Sequence, residues 1–315
     1  MLARTADNLY WMCRYMERVD VILRVLSNGF YVSYDINDRQ VFNWPAIVRI
    51  LCYASEEEIM EISSSADNVL RQLLVKDPNN SLKELMTKAR ENARGTQDLL
   101  TREVWEAINE IYHSINNIDI ENTIAKKEQM ALLIKQVDES SIYYGVFENT
   151  MSRGEGWNFM NLGRFIERSI QTLNFTEAKF TEALKDSTEE TINILYWKNL
   201  LLNLSGYELY LKSYRGGNHA ENIIDMIFLN VYFPRSLNYT THKIQSYITQ
   251  IIKENDNPNN KLIQRKTGLL VSKIAYADIE SIQSKAVLSF VSEIKADLFE
   301  LSQLIGHSFF SYFQQ

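Results

Sequence analysis

Proline and glycine are scarce in this chain of 315 residues, which has 4 of the first and 11 of the second. Turn-rich segments of alternating polarity are nearly absent as well, which excludes a sheet protein built on tight turns and predicts long helices joined by short loops. Cysteine is scarcer still. Cys13 and Cys52 are too few for a disulfide framework and sit in helical patterns as small apolar residues, which fits a reducing, cytoplasmic setting. No run of 18 apolar residues occurs, so no membrane span is expected. The opening stretch MLARTADNLYWMCRYMER interrupts its apolar residues with Arg and Asp, and so lacks the core of a signal peptide. Positive charge is in deficit: 33 Lys and Arg against 40 Asp and Glu leave a net charge of -7. That balance argues against general binding of nucleic-acid phosphates and leaves room for a local basic pocket.

The motifs of several common chemistries are missing. There is no GxxxxGK[ST] loop and no GxGxxG after a strand, so no nucleotide fold is indicated. Neither HExxH nor a CxxC pair occurs. Glu110 and His113 form one ExxH of the kind that di-iron bundles need twice, and both point away from the apolar stripe of their helix. No metal and no cofactor is therefore expected. No nucleophile stands with a neighbouring His and carboxylate, so triad hydrolysis has no support.

What is present is helical periodicity in a chain whose composition is 45% apolar, enough for one large helical domain or two halves packed together. The expected fold class is all-α, a multi-helix bundle. Residues 4–30 read as the first helix, and SYDINDRQ at 33–40 breaks the pattern. Residues 41–51 resume it, restarted at Trp44-Pro45, and residues 63–67 read as a break and cap. In KDPNNS, Asn79, Asn80 and Ser81 offer N-cap oxygens to a helix expected over 82–116 with a break near Thr101. One helix is expected over 122–148, and six more over 155–182, 189–213, 219–230, 235–254, 261–278 and 281–312.

The chain also repeats itself. Set ADNLYWMCRYMER (6–18) against residues 156–168 at an offset of 150, and Asn8, Arg14, Glu17 and Arg18 fall on Asn158, Arg164, Glu167 and Arg168. A second echo sets FLNVYFPRSL at 228–237 against LLVKDPNNSL at 73–82, pairing Pro234, Ser236 and Leu237 with Pro78, Ser81 and Leu82 across a one-residue gap. Two echoes in one order suggest related halves of about 1–148 and 149–315, packed about a pseudo-twofold axis.

At about 100° per residue, Arg14, Glu17 and Arg18 share one side of their helix, opposite Leu9, Met12, Met16, Val19 and Leu23. Arg164, Glu167 and Arg168 stand likewise against Phe159, Leu162, Ile166, Ile170 and Leu173, so each helix reads as amphipathic. Taken singly, RxxER reads as a solvated face with weak ion pairs. Its retention at both copies, where the halves otherwise differ nearly everywhere, points to a role. If the two helices meet across the twofold, four guanidiniums and two carboxylates converge. Such a cluster suits an anionic ligand, and suits equally a buried ion-pair network that fixes docking.

Three further stretches carry candidates. ARENARG places Arg90 and Arg94 one turn apart beside an apolar stripe, with Glu91 and Asn92 turned further round; a solvent-facing basic run is the plainer reading. Tyr207, Tyr210, Tyr214 and Arg215 cluster as aromatic core residues do. Arg235 and Ser236 sit at a helix start, where N–H groups suit an anion or simply a cap.

The blocks RTADNLYWMCRYMERVD, DPNNSLKELMTKARENARGTQDLLTREVWEAIN, MSRGEGWNFMNLGRFIERS and FPRSLNY, in this order, resemble the bacterial alpha-E domain family over nearly the whole chain. The resemblance implies an all-helical protein whose genes lie beside, or fused to, circularly permuted ATP-grasp ligases and transglutaminase-like peptidases. It carries to Arg14, Glu17, Arg18, Arg90, Glu91, Asn92, Arg94, Glu103, Trp105, Arg164, Glu167, Arg168, Pro234, Arg235 and Ser236. Cys13 departs from the glycine common in the family and seen here as Gly163, a difference expected to alter helix packing. The resemblance names no reaction. One expectation is a component of an amide-bond or peptide-modifying pathway that binds a small anionic or peptide ligand, with Glu17 and Glu167 as general acid or base. Arg14, Arg18, Arg90, Asn92, Arg94, Arg164, Arg168, Arg235 and Ser236 would then hold the ligand. The other is a non-catalytic scaffold docking an ATP-grasp-type ligase or transglutaminase-like partner, with RxxER as internal struts. Neither nucleic acid nor membrane is an expected partner.

Overall fold

The computed structural model describes residues 1–34, 42–184, 194–280, 282 and 284–310. Among the described residues there are fifteen α-helices and no strand. None of these helices is long and apolar enough to cross a membrane. The chain divides into two compact units, one of residues Trp11–Ser152 and one of Met1–Tyr10 with Arg153–Gln315. The first ten residues count with the later unit.

The earlier unit contains most of α1 (Ala3–Tyr34), then α2 (Trp44–Leu51), α3 (Glu56–Ile62), α4 (Ala66–Arg71), α5 (Leu82–Arg94), α6 (Arg102–Asn116), α7 (Ile120–Ala125) and α8 (Gln129–Thr150). Helix α1 outruns its expected end by four residues, and positions 35–40 of the expected break lie outside the described residues. Pro45 opens α2 behind an Asn43 cap, as a missing N–H allows. Ser65 caps α4. Of the three candidates before α5, Ser81 is the cap, accepting from Glu84 N at 3.3 Å. Helix α5 packs on α6 and α6 on α8, over a core that includes Leu82, Met86, Ala89, Val104, Ile108 and Ile111.

The later unit contains α9 (Glu155–Ala183), α10 (Ile194–Asn203), α11 (Tyr207–Ser213), α12 (His219–Ile224), α13 (Leu237–Glu254), α14 (Asn260–Ala275) and α15 (Ser284–Phe309). Helix α9 packs against α13 and α15, and α13 against α14. The expected starts at 189–193 and the expected end at 311–312 lie outside the described residues.

Two expected helices are each divided in two, for one reason. Lys127 and Ser205 have φ of 60° and 54°. At the first, Lys127 N donates to Ile124 O and Glu128 N to Thr123 O; at the second, Ser205 N donates to Leu202 O and Gly206 N to Leu201 O. This is the Schellman termination, normally marked by glycine in the left-handed position. Lysine and serine hide it.

Among the described residues, each unit also contains one π-helical turn, Gln72–Lys76 and Asp225–Leu229, with the same exit. Asp77 (φ -65, ψ 119) and Asn230 (φ -63, ψ 119) end the turns. Asp77 Oδ1 accepts from Asn79 N and Asn80 N, and Asn230 Oδ1 from Tyr232 N and Phe233 N. A serine then caps the following helix, Ser81 or Ser236. With Asn230 on Asp77, the later loop is two residues longer, so Pro234 does not take the place of Pro78 as the sequence echo had paired them. Tyr214 ties the later turn at both ends, donating to Asp225 at 2.6 Å and accepting from Asn230 Nδ2 at 3.0 Å. Burial raises the pKa of its phenol, which stays a donor.

Lys127 in the left-handed region gives a direct check. Lys127→Gly removes the Cβ conflict there and should raise stability by about 0.5–1 kcal/mol in urea unfolding, where glycine elsewhere in a helix lowers it.

Candidate functional site

The expected amphipathic faces are not solvated. On α1, Glu17 is 0% exposed, Asp20 2% and Arg14 8%. A bare buried carboxylate costs several kcal/mol, so its partners decide the local structure. Tyr144 of α8 donates its hydroxyl to Glu17 Oε2 at 3.0 Å. One turn along each helix, Ser140 donates to Asp20 at 3.2 Å, and Asp20 also pairs with Arg24 at 2.8 Å. Burial opposes the Arg24 charge, yet Asp20, with Tyr144 and Glu17 adding, holds its pKa above the ordinary value. Cys13 Sγ lies 3.7 Å from the Tyr143 hydroxyl. Together these contacts fix α8 antiparallel along α1. Arg14 lies over the Trp11 ring at 4.6 Å, and Arg18 reaches Asn80 Oδ1 at 3.5 Å. Asn80 in turn donates to Leu51 O at 2.5 Å, which joins the DPNNS loop to α2.

In the later unit, Glu167 is 0% and Arg168 8% exposed. Gln171, one turn on, donates to Glu167 Oε1 at 2.7 Å. Arg164 and Arg168 both lie over Phe165, at 5.6 and 5.2 Å, and Phe165 stacks on Tyr247 of α13. Small hydroxyl residues complete this side of α9: Ser169 donates to Thr240 at 2.8 Å and Thr172 to Arg235 O at 3.0 Å. Gly163 permits the closest approach, since a Cβ there would stand 2.2 Å from the backbone oxygen of Tyr10.

The other nominated residues do not join these clusters as a ligand set. Arg90 is held by α6, over Tyr112 at 4.6 Å and Trp105 at 5.8 Å, with Nε donating to Asn109 at 2.6 Å. The Arg94 side chain is 67% exposed beside Glu91, and Asn92 is half-buried with its carbonyl accepting from Thr96 at 3.0 Å. The basic run on α5 is thus part strut and part solvated face. Ser236 is a cap whose hydroxyl accepts from Tyr239 N at 3.0 Å and donates to Asn230 O at 2.5 Å. The Ser236 hydroxyl is thus used internally, as a cap uses it. Arg235 is buried at 8% exposure and anchors α9 through its carbonyl. Tyr144 and Gln171, which complete the charged faces, were not nominated, because a neutral polar residue in a helical pattern carries no signal of its partner, and Asn80, which meets Arg18, stood out only as a cap candidate in its loop.

A glutamate-arginine dipeptide thus occurs twice, at 17–18 and 167–168, with the carboxylate fully buried each time. Residues 1–310 match the family model Alpha-E, described as a predicted alpha-helical domain with a conserved ER motif. The chain belongs to the Alpha-E family. No curated protein and no solved structure matches it.

Two outcomes test this Alpha-E chain's packing. Gly163→Ala presses a methyl onto the Tyr10 backbone and should cost at least about 1–3 kcal/mol of stability by thermal or urea unfolding. Burial, with Asp77 beside it, pushes the Cys52 thiol up to about 12, so iodoacetamide at mildly alkaline pH should label Cys52 only after unfolding.

Proposed function

We propose that both ER dipeptides are architectural and that the chain acts as a non-catalytic helical component. Its partner would be an ATP-grasp-type ligase or a transglutaminase-like protein in an amide-bond or peptide-modifying pathway. The observation that carries this reading is the complete burial of Glu17 and Glu167, each accepting a hydrogen bond from a protein donor. A general acid or base must come within hydrogen-bond reach of a substrate proton, and a sealed carboxylate engaged by Tyr144 or Gln171 is poorly placed to do so. The partner class rests on the family resemblance. Two free, buried cysteines suit a reducing, cytoplasmic setting. The shared order of π turn, Asx-type exit and serine cap supports descent of the two units from one duplicated ancestor.

Binding of a small anionic or peptide ligand is the second reading. It is favoured by Arg18 and Arg164, which are half-buried where the glutamates are sealed.

The two readings separate in the double variant Glu17→Gln, Glu167→Gln. The architectural reading expects a loss of roughly 2–5 kcal/mol in unfolding free energy, with phosphate and amino-acid binding no different from the parent. An unchanged stability together with a lost ligand response would reverse the assignment.

A further inference from the structure

Helix α14 has two apolar faces, and only one of them is used within the later unit. Ile263, Thr267, Leu270, Val271 and Ile274 are buried, and the helix packs on α13 and α15. On the outer face Leu262 is 43% exposed, Leu269 57% and Tyr276, which ends the helix, 87%. These three recur every seven residues. At about 100° per residue they lie within an arc of roughly 40° and run about 21 Å along the axis. A line this narrow suits the seam of a helix–helix contact, whereas a helix lying on a bilayer needs a wider apolar face.

The charge beside the line has one sign. Helix α14 has Lys261, Arg265, Lys266 and Lys273 and no acidic residue. Across residues 237–275, from the start of α13 to the end of α14, six Lys and Arg stand against Glu254 and Asp256, in a chain of net charge -7. Two of these cations are met from α15, Lys266 by Glu300 at 2.7 Å and Lys273 by Asp297 at 2.6 Å. Both lie on one side of the apolar line. On the other side Lys261 and Arg265 are exposed and, among the described residues, pair with no carboxylate. A helix laid along the line would set one of its flanks against those two cations, where carboxylates are attracted and ammonium groups repelled. A second copy offering its own α14 would bring like charges together.

We propose that this face of α14 docks an amphipathic helix of a partner protein, with apolar residues at heptad spacing and a flank rich in Glu or Asp. The assignment rests on the reading of the chain as a docking component and names the surface. It fails separately, since the ER variants report on unfolding and the surface variants below on binding.

Fluorescence anisotropy of a labelled peptide of three Leu-Ala-Gln-Leu-Glu-Gln-Glu heptads, titrated with the intact chain, tests it. Saturable binding is expected with a Kd below about 1 mM, and none for the counterpart with Lys in place of each Glu. Leu269→Asp should weaken the acidic peptide at least about tenfold and Arg265→Glu at least about threefold. Circular dichroism should show both variants folded, because both side chains lie in water. Met60→Ser removes a comparably exposed apolar side chain from the earlier unit and should leave the affinity unchanged. Absence of saturable binding up to about 1 mM, equal binding of the basic peptide, or an equal loss in Met60→Ser would overturn the assignment. Co-sedimentation with phosphatidylglycerol vesicles that Leu269→Asp abolishes would overturn it in favour of a membrane surface.

Discussion

A carboxylate withdrawn from water must be met by donors, and helix α1 is set against α8 by that requirement, whereas Glu167 of α9 takes its donor from Gln171 of the same helix. Rotating α1 about its axis would carry Glu17 away from the Tyr144 hydroxyl and Asp20 away from Ser140 and Arg24. The apolar residues of α1 would tolerate small slips, because dispersion contacts are weak and non-directional. The hydrogen-bonded carboxylates would not. In the later unit, Ser169 and Thr172 against Thr240 and the Arg235 carbonyl do for α9 and α13 what Ser140 and Tyr144 do for α1 and α8. Buried charge of this kind gives specificity of arrangement more surely than net stability.

The functional reading follows from where the polar groups are directed. Tyr144, Gln171, Asn80 and Ser236 each point their hydrogen-bonding capacity into the protein.

Apolar periodicity was enough to find the all-α class, and cap residues located most boundaries, because both are local: Ser65, Ser81 and Ser236 cap their helices through hydrogen bonds a few residues away. The divisions at Lys127 and Ser205 escaped because tertiary context imposes a left-handed backbone on residues that do not advertise it. The π turns escaped for a similar reason, since Gln72–Lys76 and Asp225–Leu229 have ordinary helical composition. The doubled RxxER draws attention to these faces, but helical spacing alone assigns Glu17 and Glu167 to a polar, outward side. Their burial depends on Tyr144 and Gln171, and no pattern in a single sequence names such partners.

A double-mutant cycle on Glu17→Gln and Tyr144→Phe, read by urea unfolding, measures the central interaction most directly. Architectural glutamates predict a coupling of about 1 kcal/mol or more between the two positions. A coupling near zero, with both single variants as stable as the parent, would contradict it.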